Sequence, residues 1–186
     1  MNAGKFPILL ISFAGLTWLS CNKEHNPVFS EGSPVKVTFT GRITDENDAP
    51  LTGAVVTAGT ARANTDANGV FRLDQVTLPD RNAILDVRLD GYFDFSRAWF
   101  VENNAVQQVS IHLLEKKLVQ GFFSYKAAVA QIDAAQISFP ANSVARPDGS
   151  AYDGAVYVFA RYLDPTDPDL YQRMPGDLRG IGAGGA

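Results

Sequence analysis

The sequence predicts an all-β protein: an antiparallel β-sandwich followed by a second β-rich segment. Three observations carry that prediction. From Val35 onward, apolar and polar residues alternate with a period of two. Clusters of Asp, Asn, Gly and Pro interrupt that alternation at short intervals. No stretch of this part shows the 3.6-residue periodicity of an amphipathic helix. The chain has 186 residues, 46% of them hydrophobic, enough for one ordinary domain or two small ones with a packed core.

The first strand is VKVTFTGRI. Val35, Val37, Phe39 and Gly41 fall on one face, and Lys36, Thr38, Thr40 and Arg42 on the other. DENDAP then supplies a turn, because Asx side chains bond the backbone ahead of them and proline presets φ. GAVVTAG and ARANT read as two further strands. TDANG is expected to close a hairpin, with Asn68-Gly69 supplying positive φ and GVFRLDQV returning as the next strand. AILDVRLDGYF, FSRAWFV and AVQQVSIHLLE complete the series.

Gly41, Asp45, Pro50, Leu51, Gly53, Ala54, Thr65, Asp66, Gly69 and Phe71 follow one another in a recognisable order. This pattern resembles the carboxypeptidase regulatory-like domain, over residues 35–117. The resemblance implies a transthyretin-like, seven-stranded sandwich that serves as an accessory module without catalytic residues of its own.

Residues 118–186 read as a second β-rich domain. LVQGFF and AVYVFARYL alternate as strands, with Tyr152-Asp153-Gly154 turning into the latter. FPANSV, GSAYDGAVYVFARYLDP and MPGDL resemble a module related to the ankyrin and netrin-receptor sandwich family. Similar pairings occur in bacterial surface lipoproteins and in cartilage intermediate layer protein. RGIGAGGA offers no terminal strand, so the second domain is expected to be incomplete, with an unpaired edge.

The beginning of the chain is of a different kind. MNAGKFPILLISFAGLTWLSC has one Lys5, an apolar run too short for a stable membrane span, and small Ser20 before Cys21. It resembles the lipobox of bacterial lipoproteins, although Trp18 stands where leucine is usual. The resemblance implies a signal peptide over residues 1–20, removed at Cys21, and lipidation of that cysteine. The other reading of Cys21 is an unmodified thiol ending an ordinary secretory signal or a membrane anchor. Residues 21–34 are polar and broken by Pro27 and Pro34, as a solvated tether would be. Lys23 and Glu24, just behind the cysteine, resemble a short charged signal for export to the cell surface in some Gram-negative bacteria. The implied location is the outer membrane, on its surface or periplasmic face.

Chemistry is harder to find. Net charge is −4 and no Lys/Arg cluster is present, which argues against nucleic acid as a partner. HLLE, His112 to Glu115, has zinc-ligand spacing, but on a strand residues three apart face opposite ways. A third ligand would also be needed, and the other histidine, His25, lies in the tether. GIGAGG, Gly180 to Gly185, has dinucleotide-fingerprint spacing without the strand and helix that give it a mechanism. Asp164, Asp167 and Asp169 are a weak calcium candidate, set against a rigid turn made by two prolines. GYFDFSRAWF carries five aromatics, and Tyr92 and Trp99 are the candidate glycan contacts, set against a core role for the rings.

No catalytic residue and no cofactor is expected. The expected function is that of a non-catalytic, lipid-anchored envelope protein for adhesion, display or assembly, with glycan or envelope protein as partner. The alternatives are a carbohydrate-binding module in glycan uptake, or accessory domains of an enzyme whose catalytic part lies beyond residue 186.

Overall fold

The computed structural model describes residues 32–176, and these form eleven strands and one helical turn. The first seven strands are β1 (Pro34–Thr44), β2 (Val55–Ala58), β3 (Ala61–Asn64), β4 (Val70–Pro79), β5 (Ala83–Arg88), β6 (Phe95–Trp99) and β7 (Ala105–His112). They form two sheets, ordered β4-β1-β7 and β3-β2-β5-β6. All ladders in these sheets are antiparallel except β1/β7, which is parallel. A parallel pair cannot be joined by a tight turn, and here the chain crosses to the other sheet between the two strands.

Alternation does the packing. Val37, Phe39 and Ile43 of β1 and Phe71 and Leu73 of β4 are buried from one sheet. Val56 of β2, Leu85 and Val87 of β5 and Phe95 of β6 meet them from the other, and together they make one continuous core. Each such side chain contributes on the order of 1.5–3 kcal/mol by leaving water. Thr38 breaks the alternation, being only 2% exposed although it faces outward. A bulge in β4 places Asp74 and Gln75 opposite this one residue, and the Gln75 N–H donates to the Thr38 hydroxyl at 3.2 Å.

TDANG does not close a hairpin. It carries the chain from β3 in one sheet to β4 in the other. Only Gly69 has positive φ, at 73°, and a Cβ there would stand 2.3 Å from the Ile43 carbonyl oxygen. The Gly69 carbonyl accepts from the Ile43 N–H at 2.8 Å, which fastens the crossover to β1.

The remaining strands are β8 (Leu118–Phe123), β9 (Ala128–Ile132), β10 (Ala135–Phe139) and β11 (Ala155–Phe159), with α1 (Leu170–Arg173) after them. They pair as two separate antiparallel ladders, β11/β8 and β10/β9. Ser124 is the buried tie here: its N–H donates to the Gly154 carbonyl at 2.9 Å, and its Oγ accepts from the Gly154 N–H at 3.2 Å. Among the described residues no helix is long and apolar enough to cross a membrane. The signal segment, Cys21, His25, nearly all of the tether and Gly180–Gly185 lie outside the described residues.

Candidate functional site

The ordered motif of the first sandwich proves to be a structural latch. Asp45 and Asp66 build two turns of the same design. Asp45 Oδ1 accepts from the N–H groups of Asn47 and Ala49, at 2.8 and 2.9 Å. Asp66 Oδ1 accepts from those of Asn68 and Val70, also at 2.8 and 2.9 Å. One oxygen of each carboxylate is thereby engaged by the backbone of its own loop. Thr65, buried, donates to the Leu51 carbonyl at 2.5 Å and accepts from the Ala54 N–H at 2.8 Å. These contacts join the segments on either side of the β2/β3 hairpin at one end of the sandwich.

A second cluster ties the sandwich to the later strands. Glu46 Oε1 lies 2.7 Å from Arg161 Nη1 and 3.7 Å from Lys117 Nζ. Glu46 Oε2 accepts from the Glu115 N–H at 3.2 Å. Burial raises the Glu46 pKa, but the Glu115 hydrogen bond and the Arg161 charge outweigh it and hold the carboxyl below the ordinary glutamate range.

HLLE does not converge on one point. His112 Nδ1 lies 3.3 Å from Thr44 Oγ1 and 3.5 Å from Asp48 Oδ1, and Nε2 lies 2.9 Å from Gln172 Oε1. Glu115 instead bridges by its backbone to Tyr92. Nor do the three aspartates share a centre. Asp164 accepts from the hydroxyl and N–H of Thr166, and these bonds hold its pKa below the ordinary aspartate value. Asp167 pairs with Arg173 at 2.9 Å, and Asp169 accepts from Gln172 at 3.2 Å. Among the described residues no three of His, Cys, Asp and Glu gather as a metal site would require.

The concave feature lies where the two sheets end. β6 and β7 are edge strands of their respective sheets. A cleft of about 660 Å³ is lined by Arg97 and Trp99 of β6, Gln108 of β7, Arg42 of β1, and Tyr171 and Gln172 of α1. Gly41 contributes to the same wall. It faces Val109 of β7, and a Cβ on it would come within 2.1 Å of the Val109 carbonyl oxygen. Glycine here is what lets the parallel strands lie close.

Trp99 is partly exposed, its ring meeting buried Phe39 edge-on with centroids 5.8 Å apart. The Arg97 guanidinium carbon stands 5.9 Å from the Trp99 ring and 4.9 Å from that of Phe95. Arg97 also donates to the carbonyls of Tyr171 and, at 3.3 Å, Met174, so it fastens the α1 segment beside the cleft.

The two aromatic candidates are therefore separated. Trp99 lines the cleft and Tyr92 does not. Tyr92 is partly buried against the core, and its phenol pKa is raised by burial and then by the charges of Asp45, Glu115 and Glu46. Arg42, Arg97, Gln108, Tyr171 and Gln172 escaped sequence reasoning. They come from four elements, and no local pattern marks them.

Residues 38–114 match the carboxypeptidase regulatory-like domain family. No curated protein matches the chain. Among solved structures, the chain is similar to a Bacteroides fragilis protein described as membrane-associated and of unknown function. That likeness has 24% identity and a TM-score of 0.35, covering 47% of this chain and 32% of that one. A type II cohesin–X-dockerin complex from Acetivibrio cellulolyticus is similar at 21% identity and a TM-score of 0.35, over 45% of this chain and 61% of that one. A Bacteroides uniformis protein described as carbohydrate-binding is similar at 16% identity and a TM-score of 0.32, over 52% of this chain and 48% of that one. The chain thus spans from a third to about three fifths of these proteins, and likeness at that level says nothing about the site. The family match falls within the seven-stranded sandwich.

Proposed function

We propose that this protein is a non-catalytic recognition module of the cell envelope, held by a lipid on Cys21, whose cleft between β6 and β7 binds saccharide in adhesion, display or assembly. The observation that carries the reading is the partly exposed Trp99 ring in a cleft whose other walls present guanidinium, amide and hydroxyl groups. An indole offers a flat apolar face to a sugar ring, and the surrounding donors suit its hydroxyls. Rigid strands place most of these groups, so little ordering is needed on binding.

Two substitutions separate the parts of this proposal. Trp99→Ala is expected to lower affinity for the bound glycan by about tenfold or more, the loss of one aromatic platform, while the protein stays with the membrane fraction. Cys21→Ala is expected to release the protein from membranes and abolish fatty-acid labelling, with glycan affinity kept. Glycan screening with the purified chain, followed by calorimetry on any hit, checks the first. Fractionation and acyl labelling check the second. Glycan binding untouched by Trp99→Ala would rule out the cleft as the binding site, and labelling that survives Cys21→Ala would rule out the anchor.

A further inference from the structure

We infer that the saccharide taken by this cleft is acidic, with Arg42 as the contact for its carboxylate; the inference rests on the saccharide reading above. The protein as a whole is acidic, with net charge −4, yet the described residues that line the cleft include two arginines and neither aspartate nor glutamate. Arg42 therefore brings a positive charge to a wall on which no described carboxylate lies.

The two arginines have different roles. Arg97 is held in place by the carbonyls of Tyr171 and Met174 and overlies Trp99. Its guanidinium is committed to contacts within the fold. Arg42 is anchored through Nε, which donates to the Asn68 carbonyl at 3.0 Å, and its two terminal nitrogens meet no acceptor among the described residues. Several other arginines have a carboxylate close by: Arg72 faces Asp74 at 2.7 Å, Arg88 faces Asp94 at 3.2 Å, and Arg173 faces Asp167 at 2.9 Å. Arg42 is thus an anchored guanidinium with an open donor pair at the wall of a cleft that also holds an aromatic ring. A guanidinium binds a carboxylate through two parallel N–H···O bonds, a geometry lysine cannot reproduce. Ring and guanidinium together fit a sugar bearing a carboxylate, such as a uronic acid.

The test compares each acidic glycan with its own neutral form. Oligomers of galacturonate, alginate and hyaluronate are titrated into the full chain beside their methyl-esterified counterparts, with poly-glutamate as a control for charge alone. The acid form of at least one oligomer is expected to bind about ten- to hundredfold tighter than its ester, the range for a charge-assisted hydrogen-bonded pair. That preference should shrink as salt rises and vanish in Arg42→Gln, with ester binding unchanged. Acid and ester bound equally would overturn the acidic inference and leave the saccharide reading standing. Poly-glutamate bound as tightly as the glycans would overturn it too, by showing charge to be sufficient. Binding to none of the acidic oligomers overturns the inference, and binding to no glycan of either kind takes the saccharide reading with it. The comparison in the unsubstituted protein decides the matter even if Arg42→Gln folds poorly.

Discussion

At the scale of single residues, Glu46 shows how charge joins the sandwich to the later strands. Its side chain is only 15% exposed and is shared by Arg161, Lys117 and the Glu115 N–H. Because its pKa is lowered in the folded protein, the pair stabilises fully above the unfolded glutamate pKa, about 4.3. That stabilisation is lost as pH falls through the lower folded value. Glu46→Gln is therefore expected to cost about 1–2 kcal/mol at neutral pH. The difference from the parent protein should narrow as pH falls below the unfolded glutamate value and close once the folded carboxyl is protonated as well. Chemical denaturation of both proteins across pH measures this, and a gap independent of pH would show that packing, not charge, is what the substitution removes.

At the scale of elements, the motif that looked most conspicuous in the sequence turns out to organise backbone. Thr65 and the two Asx turns use their polar atoms on Leu51, Ala54 and their own loops, so that end of the sandwich is built without cost from unpaired groups. Thr65→Val keeps the shape, removes the hydroxyl and leaves the Ala54 N–H without its side-chain acceptor. It is expected to destabilise by about 1–3 kcal/mol, read from thermal or denaturant unfolding. A neutral outcome would mean that water replaces the hydroxyl at this site.

The strands themselves were legible because alternation reports burial directly. Val37, Phe39, Phe71, Leu73, Leu85 and Val87 all lie in the core, as period two demands. The partner of each strand was not legible. TDANG has hairpin composition, and nothing local distinguishes a turn within one sheet from a crossing between two. Thr38 likewise reads as solvent-facing until the β4 bulge brings Gln75 over it.

At the scale of the whole molecule, the parallel β1/β7 ladder brings together residues that are far apart in the sequence. It sets Gly41 against Val109 and places Arg42 of β1 and Gln108 of β7 on the wall of one cleft. β6 of the opposite sheet brings Trp99 and Arg97 to the same place, and α1 closes it from beyond β11. Of this site the sequence showed only Trp99, as one aromatic among five. Tyr92 shares its sequence neighbourhood and lies away from the cleft, near the Glu46 cluster. Proximity along the chain was a poor guide because Tyr92 bridges to Glu115 before the chain enters the edge strand β6, at whose far end Trp99 lies. The exposed rings of Tyr157 and Phe159 on β11 form a second aromatic surface with which the cleft must be compared.

The most direct test of the cleft is to titrate the isotopically labelled protein with the glycan that binds it best and follow backbone, indole and guanidinium resonances by NMR. Saturable shifts are expected, centred on the Trp99 indole, Arg42, Arg97 and Gln108, with Tyr92 unmoved. Shifts centred on Tyr92, or on Tyr157 and Phe159 of β11, with the cleft silent, would contradict a saccharide site between β6 and β7.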